Sequence, residues 1–211
     1  MSFVTPSPTV VEGLDPNKGM LCVSVYWRPR PSDPDPEMPG EKLSIASYIP
    51  VADDDAPCLC GSGQAFRLCC QAKPYWQAIC PNPGDPRLKS YSPLQPQAVT
   101  FTKVDGYSLG PMFMDDERLQ CFENTIKRAF WTYWGDPSLL SPYGTLCFGD
   151  IELRNAQTLM ITALSNLRME TLLNLLRELA GDSLGTPVIK YDPIKHLPKA
   201  KGLKKNKFRK G

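Results

Sequence analysis

The sequence predicts a mixed α+β protein: a small four-cysteine knuckle between a proline-rich first half and an α/β sandwich. Three observations lead there. Sixteen of the 22 prolines fall before residue 97, so regular structure concentrates in the second half. Four cysteines crowd into residues 58–70. After residue 97, segments of alternating polarity and segments of helical period follow in the order β-α-β-β-α-β, which matches a split-βαβ, ferredoxin-like arrangement. At 211 residues the chain is long enough for a core that needs no disulfide staples.

Residues 1–56 read as a proline-rich arm. Within it, MLCVSVYW (20–27) and KLSIASYIPV (42–51) have strand composition. RPRPSDPDPEMPGE (28–41) is excluded from helix and central strand, because proline fixes φ and lacks an N–H donor. Residues 57–72 form the knuckle and 73–97 a proline-rich connector. In the 98–192 domain, AVTFTKV (98–104) alternates as a strand. Asp115–Trp134 carries Leu119, Phe122, Ile126, Phe130 and Tyr133 at helical spacing, with acids at its start and Gly135 and Pro137 at its end. That helix leaves Trp131 on its less apolar, exposed side. Residues 143–153 and 158–164 read as two strands. Ser165 caps a helix over Asn166–Ala180, whose apolar face is Leu167, Thr171, Leu172, Leu175, Leu176 and Leu179, and Gly181 ends it. TPVIKYD (186–192) closes as a strand. The alternative is another α+β sheet that also recruits the strands near 20–27 and 42–51.

The cysteine cluster carries the chemistry. Cys58, Cys60, Cys69 and Cys70 are spaced C-x-C-x8-C-C, and four thiolates this close can surround one zinc ion tetrahedrally. Gly61-Ser62-Gly63 permits the sharp turn between them, and Phe66 can shield the site from water. Disulfides between Cys69 and Cys70 or between Cys58 and Cys60 would close strained rings. A closed four-sulfur site is structural rather than catalytic. Cys80 is an alternative fourth ligand. Cys22, Cys121 and Cys147 sit in apolar patterns as small hydrophobes. With no basic, apolar leader visible, thiols that are reduced or on metal point to a cytoplasmic setting.

CLCGSGQAFRLCC resembles the SEC-C metal-binding motif. Cys58, Cys60, Cys69 and Cys70 stand at its ligand positions, Gly61, Ser62 and Gly63 at its turn, and Phe66 at its aromatic position. The resemblance spans residues 57–70. It implies one structural zinc and a docking role, as in the SecA preprotein translocase, where the module docks on a chaperone and on ribosomes. Other small bacterial proteins join the motif to a cone-shaped α+β domain. Here Gln64, Ala65 and Leu68 stand where lysines are common, and Arg67 alone is basic.

Charge is uneven. From Lys195 to the end stand eight basic residues and no acid: Lys195, Lys199, Lys201, Lys204, Lys205, Lys207, Arg209 and Lys210. The remainder holds 16 basic and 22 acidic residues, a net of −6. The 193–211 segment lacks apolar periodicity and reads as a solvated, disordered tail that can contact a polyanion. Trp27, Arg28 and Arg30 combine aromatic and basic character as a second contact surface, with Arg67 beside the cysteines. His196 is the only histidine, which argues against Ser-His or Cys-His catalysis. No phosphate loop and no membrane-length apolar run occurs. These features lead to a non-enzymatic zinc adaptor for a protein, ribosome or RNA, and argue against a small-molecule substrate. The alternatives are an assembly subunit of a larger complex and an enzyme with its site in 98–192.

Overall fold

The computed structural model describes residues 15–28, 40–136, 138–192 and 197–199. It is mixed α+β: the described residues form two α-helices, two six-stranded sheets and one two-stranded sheet. Strand β1 (Gly19–Arg28) pairs along its whole length with antiparallel β2 (Glu41–Pro50). After the knuckle come β3 (Tyr75–Trp76), β4 (Ile79–Pro81) and β5 (Tyr91–Pro93). Residues 73–97, read from sequence as a connector, therefore contribute strands. Next are β6 (Gln97–Thr102), α1 (Gly106–Asp115), β7 (Leu119–Asn124) and β8 (Arg128–Tyr133). They are followed by β9 (Leu140–Ser141), β10 (Gly144–Cys147), β11 (Gly149–Arg154) and β12 (Thr158–Ala163). Helix α2 (Asn166–Ala180), β13 (Val188–Tyr191) and β14 (Leu197–Pro198) complete the order.

The first sheet runs β5-β4-β1-β10-β9, with β2 on the other edge of β1. The second runs β13-β6-β12-β11-β8-β7, and every neighbouring pair in it is antiparallel. Residues that face each other across its strands form continuous apolar rows. Val99, Ile161, Ile151 and Trp131 make one row, and each is 0% exposed. Phe101, Leu159, Leu153 and Ala129 make the next. Helices α1 and α2 complete this core with Leu109, Phe113, Met169, Leu172, Leu175 and Leu176.

Among the described residues the chain crosses between the two sheets three times, from β5 to β6, from β8 to β9 and from β10 to β11. Strands β10 and β11 are separated only by buried Phe148, so residues 143–153 are two strands in two sheets rather than one. Gly149 lets α2 approach there, since a Cβ would lie 2.5 Å from Leu172 Cδ1. Buried Arg168 of α2 donates from Nε to the Pro81 carbonyl (2.9 Å) and lies over the Phe148 ring at 5.0 Å, tying the helix to β4. Lys42 of β2 pairs with Asp150 of β11, a second tie between the sheets.

Several expectations are corrected. The segment expected as the helix Asp115–Trp134 instead holds the hairpin β7–β8, and Asp115 is the last residue of α1. The apolar residues there fit a period of three to four by coincidence. Cys, Phe, Thr, Trp and Tyr favour a pleated, half-buried surface. Ala129, Trp131 and Tyr133 alternate inward, and Ile126 stands 82% exposed in the hairpin turn. Trp131, expected to be exposed, is fully buried. Of the expected β-α-β-β-α-β order, β6, α1, β11, β12, α2 and β13 occur in sequence, with β12 lying between β6 and β11 and β13 beside β6, but the β7–β8 hairpin and strands β9 and β10 intervene between α1 and β11. The apolar face of α2 is also rotated. Arg168 and Met169 are buried, while Leu167 is exposed. Sequence reading missed α1, whose Gly106, Gly110 and Pro111 resemble loop residues. Asp105 caps it by accepting from the N–H groups of Tyr107 and Ser108.

Strands near 20–27, 42–51, 98–104, 158–164 and 186–192 form close to the expected bounds, as does the helix Asn166–Ala180. Ser165 caps it, and Gly181 takes a φ of 59° at its end. Among the described residues, no helix is long and apolar enough to cross a membrane.

Trp131→Ala should cost about 3–5 kcal/mol in chemical denaturation, the range for an aromatic removed from a packed core. A change within about 0.5 kcal/mol, normal for an exposed site, would contradict its place in the apolar row.

Candidate metal centre

The knuckle begins where the chain leaves β2 and turns back on itself. Pro57 and Ala65 form an isolated antiparallel bridge, and the Cys58 N–H donates to the Gln64 carbonyl at 2.8 Å. The Gly61 N–H donates to the Cys58 carbonyl at 3.1 Å, closing a tight turn around the first cysteine pair. Gly61 and Gly63 hold φ values of 76° and 74°, a region open to glycine at little cost. A short 3-10 turn, Phe66–Leu68, then presents the second pair. The Cys69 N–H donates to the Phe66 carbonyl at 3.1 Å.

This folding brings the sulfurs of Cys58, Cys60, Cys69 and Cys70 within 4.8 Å of one another. Cys60 Sγ lies 3.6 Å from Cys69 Sγ, which lies 3.9 Å from Cys70 Sγ. Zn–S bonds of about 2.3 Å in a tetrahedron set S···S edges near 3.8 Å. The spacing and the all-sulfur donor set therefore fit a soft or borderline divalent ion such as zinc. Ser62 Oγ lies 3.2 Å from Cys69 Sγ, close enough to share a hydrogen bond with it.

Electrostatics gives the cluster its need for a cation. A hydrogen bond from Cys70 pulls the Cys60 thiol down to about 4, and the same contact pushes Cys70 well above the ordinary thiol value. Burial pushes Cys58 up. One thiolate thus forms at the expense of its neighbours, because like charges this close repel. A bound divalent cation removes that conflict and favours ionisation of all four.

The surroundings hold the knuckle firmly. Phe66 is 1% exposed and packs with Met20, Cys22 and Ile79 under the cysteines. The acidic run at 53–55 serves the knuckle. Asp55 pairs with Arg67, and the Asp54 carbonyl accepts from the Arg67 N–H at 2.9 Å. Gln71 Nε2 donates to Asp54 Oδ1 at 2.9 Å and to the Asn17 carbonyl at 2.6 Å. On the outer face, Leu68 and Arg67 are exposed side by side.

The remaining sequence candidates are placed as follows. Cys80 is 0% exposed in β4, with Sγ 3.7 Å from the Leu164 carbonyl, away from the four-sulfur group. Cys22 and Cys147 are buried thiols, pushed up to about 11 and about 12 by burial. Trp27 packs its ring 5.1 Å from Phe122 and 6.3 Å from Trp134, and Arg28 pairs with Glu41 at 2.6 Å. Arg30, Lys195, Lys201, Lys204, Lys205, Lys207, Arg209 and Lys210 lie outside the described residues. Lys199 is described, and sequence reasoning missed its role. It is half-buried, with Nζ donating to the Cys70 carbonyl at 3.0 Å and to the Gln71 carbonyl. Burial pulls its ammonium below the ordinary lysine value, and the Coulombic influence of nearby Cys70 opposes that pull.

Away from the knuckle, a pocket of about 320 Å³ lies between α1 and the β7–β8 hairpin. Its lining includes Tyr107, Met114, Asn124, Thr125, Ile126 and Trp131, and no Asp, Glu, His, Cys, Lys or Arg.

Fold and site together define a mixed α+β protein with a closed four-sulfur knuckle built into its first sheet. Residues 56–72 match the SEC-C motif. No curated protein and no solved structure matches the chain.

Metal loading should release protons. At neutral pH the Cys58 and Cys70 thiols are protonated by the shifts above, while Cys60 is already ionised. Affinity should therefore rise with pH, and zinc should leave on acidification. Calorimetric titration of zinc in buffers of different ionisation enthalpy would show proton release. Release of no protons near pH 7 would refute a thiolate site.

Proposed function

We propose that this chain is a non-enzymatic zinc-binding adaptor that docks on a ribosome or RNA surface through its knuckle and its basic tail. The observation that carries the reading is the closed cysteine group itself, four sulfurs within 4.8 Å of one another. Four protein donors leave a tetrahedral ion no position for substrate, which favours a structural metal. The 56–72 match to the SEC-C motif supports the same reading. Exposed Leu68 beside Arg67 offers a small rigid contact on the knuckle. The basic residues beyond Lys199 supply an attraction that the acidic body lacks. The pocket near α1 has no acid–base pair in its lining, which favours binding over catalysis.

The test is a salt series of binding to ribosomes and to a generic single-stranded RNA. The full chain is compared with a chain ending at Lys199, which keeps the knuckle contacts and removes Lys201, Lys204, Lys205, Lys207, Arg209 and Lys210. Full-length affinity should fall by about 10³-fold or more between about 50 and 200 mM salt. The shortened chain should bind far more weakly and with a flatter slope. Equal affinity for the two chains would remove the polyanion half of the reading.

A further inference from the structure

We propose that Leu197–Lys199 is a strap that completes the metal knuckle, so that metal occupancy and the docking of this short segment depend on each other. The inference rests on the metal-binding reading above. It begins with a contact between residues 129 apart in sequence, Lys199 and Cys70. Three features hold the strap. Strand β14 pairs with β3, Leu197 opposite Trp76 and Pro198 opposite Tyr75. The Lys199 N–H donates to the Pro74 carbonyl at 3.3 Å. Lys199 Nζ then reaches the carbonyls of Cys70 and Gln71.

The segment from the last cysteine to β3 is therefore gripped at both ends. One end is fixed by the ammonium on the Cys70 and Gln71 peptides, the other by the β14–β3 pairing. Fixing the Cys70 peptide fixes the direction in which its Sγ is offered. Charge adds to geometry. One zinc ion with four thiolates carries a net charge of about −2. A half-buried ammonium beside that centre is poorly screened by salt and offsets part of it. The strap should favour the loaded knuckle, and by linkage the loaded knuckle should favour the docked strap by the same factor. Lys199 then acts as a positioning residue for the metal and leaves polyanion contact to the residues beyond it.

Two measurements on the full chain test this. Zinc dissociation constants come from competition with a chromophoric chelator, for the wild type, Lys199→Met and Lys199→Arg. Lys199→Met should weaken zinc about 10- to 100-fold, the usual effect of losing a partner that orients a ligand. Lys199→Arg, which keeps the charge and the donors, should restore most of the affinity. Hydrogen exchange supplies the second readout. The Lys199 amide should lose protection when zinc is removed, while the β1–β2 amides keep theirs. Unchanged zinc affinity in Lys199→Met, or equal exchange at Lys199 with and without zinc, overturns the strap. Failure of the wild type to take up stoichiometric zinc overturns the metal reading itself, and the strap with it.

Discussion

Everything in this fold depends on the two edges of β1. One edge is fully occupied by β2 through ten paired residues. The other is divided: β4 pairs at Cys22, and β10 pairs along Val25–Trp27. The N-terminal hairpin, the segment after the knuckle and the C-terminal half thus meet on a single strand. Side chains of β1 also join two separate cores. Met20 and Cys22 pack with Cys58, Cys60, Cys70 and Phe66, whereas Val25 packs with Cys80, Cys147 and Leu164. A knuckle seated on such a strand is part of the sheet's own core rather than a module hung on a linker.

That seating changes what a metal would contribute. In an isolated zinc finger, metal binding supplies most of the folding free energy. Here Phe66, Met20 and Ile79 already bury apolar surface around the cysteines. The Asp55–Arg67 pair and the Gln71 hydrogen bonds fix the flanks from outside. The fold supplies the shape, and the residual strain is electrostatic: several thiols too close to ionise together. A cation resolves that strain with little movement of the chain, which suits a rigid docking surface.

What was legible in the sequence was local. The C-x-C-x8-C-C spacing and the glycines between its halves specify the knuckle because its ligands lie within 13 residues of one another. Strands β1, β2, β6 and β12 announce themselves by composition and alternation, and α2 by its leucine spacing and Ser165 cap. The β7–β8 hairpin was hidden because Leu119, Phe122, Ile126, Phe130 and Tyr133 also satisfy a helical period. The turn-forming Asn124-Thr125 and the β-favouring run Phe130-Trp131-Thr132-Tyr133 were the better signal. The split at Phe148 could not be read locally, since only the pairing partners of β10 and β11 place them in different sheets. The same holds for Lys199, which by composition is one more lysine of a basic run. Its separate role comes from a partner that lies far away in the chain.

The charge distribution gives the strap its larger consequence. Outside the tail the chain carries a net −6, and a loaded four-thiolate centre would add to it. Such a body repels a polyanion at long range, and Arg67 does little to offset this because Asp55 already neutralises it. On the proposed reading, attraction must come from the residues after Lys199. Each of those charges is felt over about a Debye length, roughly 8 Å at physiological salt. Lys199 itself is held on the Cys70 and Gln71 carbonyls. On that reading, the short strap would give an unspecific run of positive charge a fixed starting point beside Cys70 and Gln71.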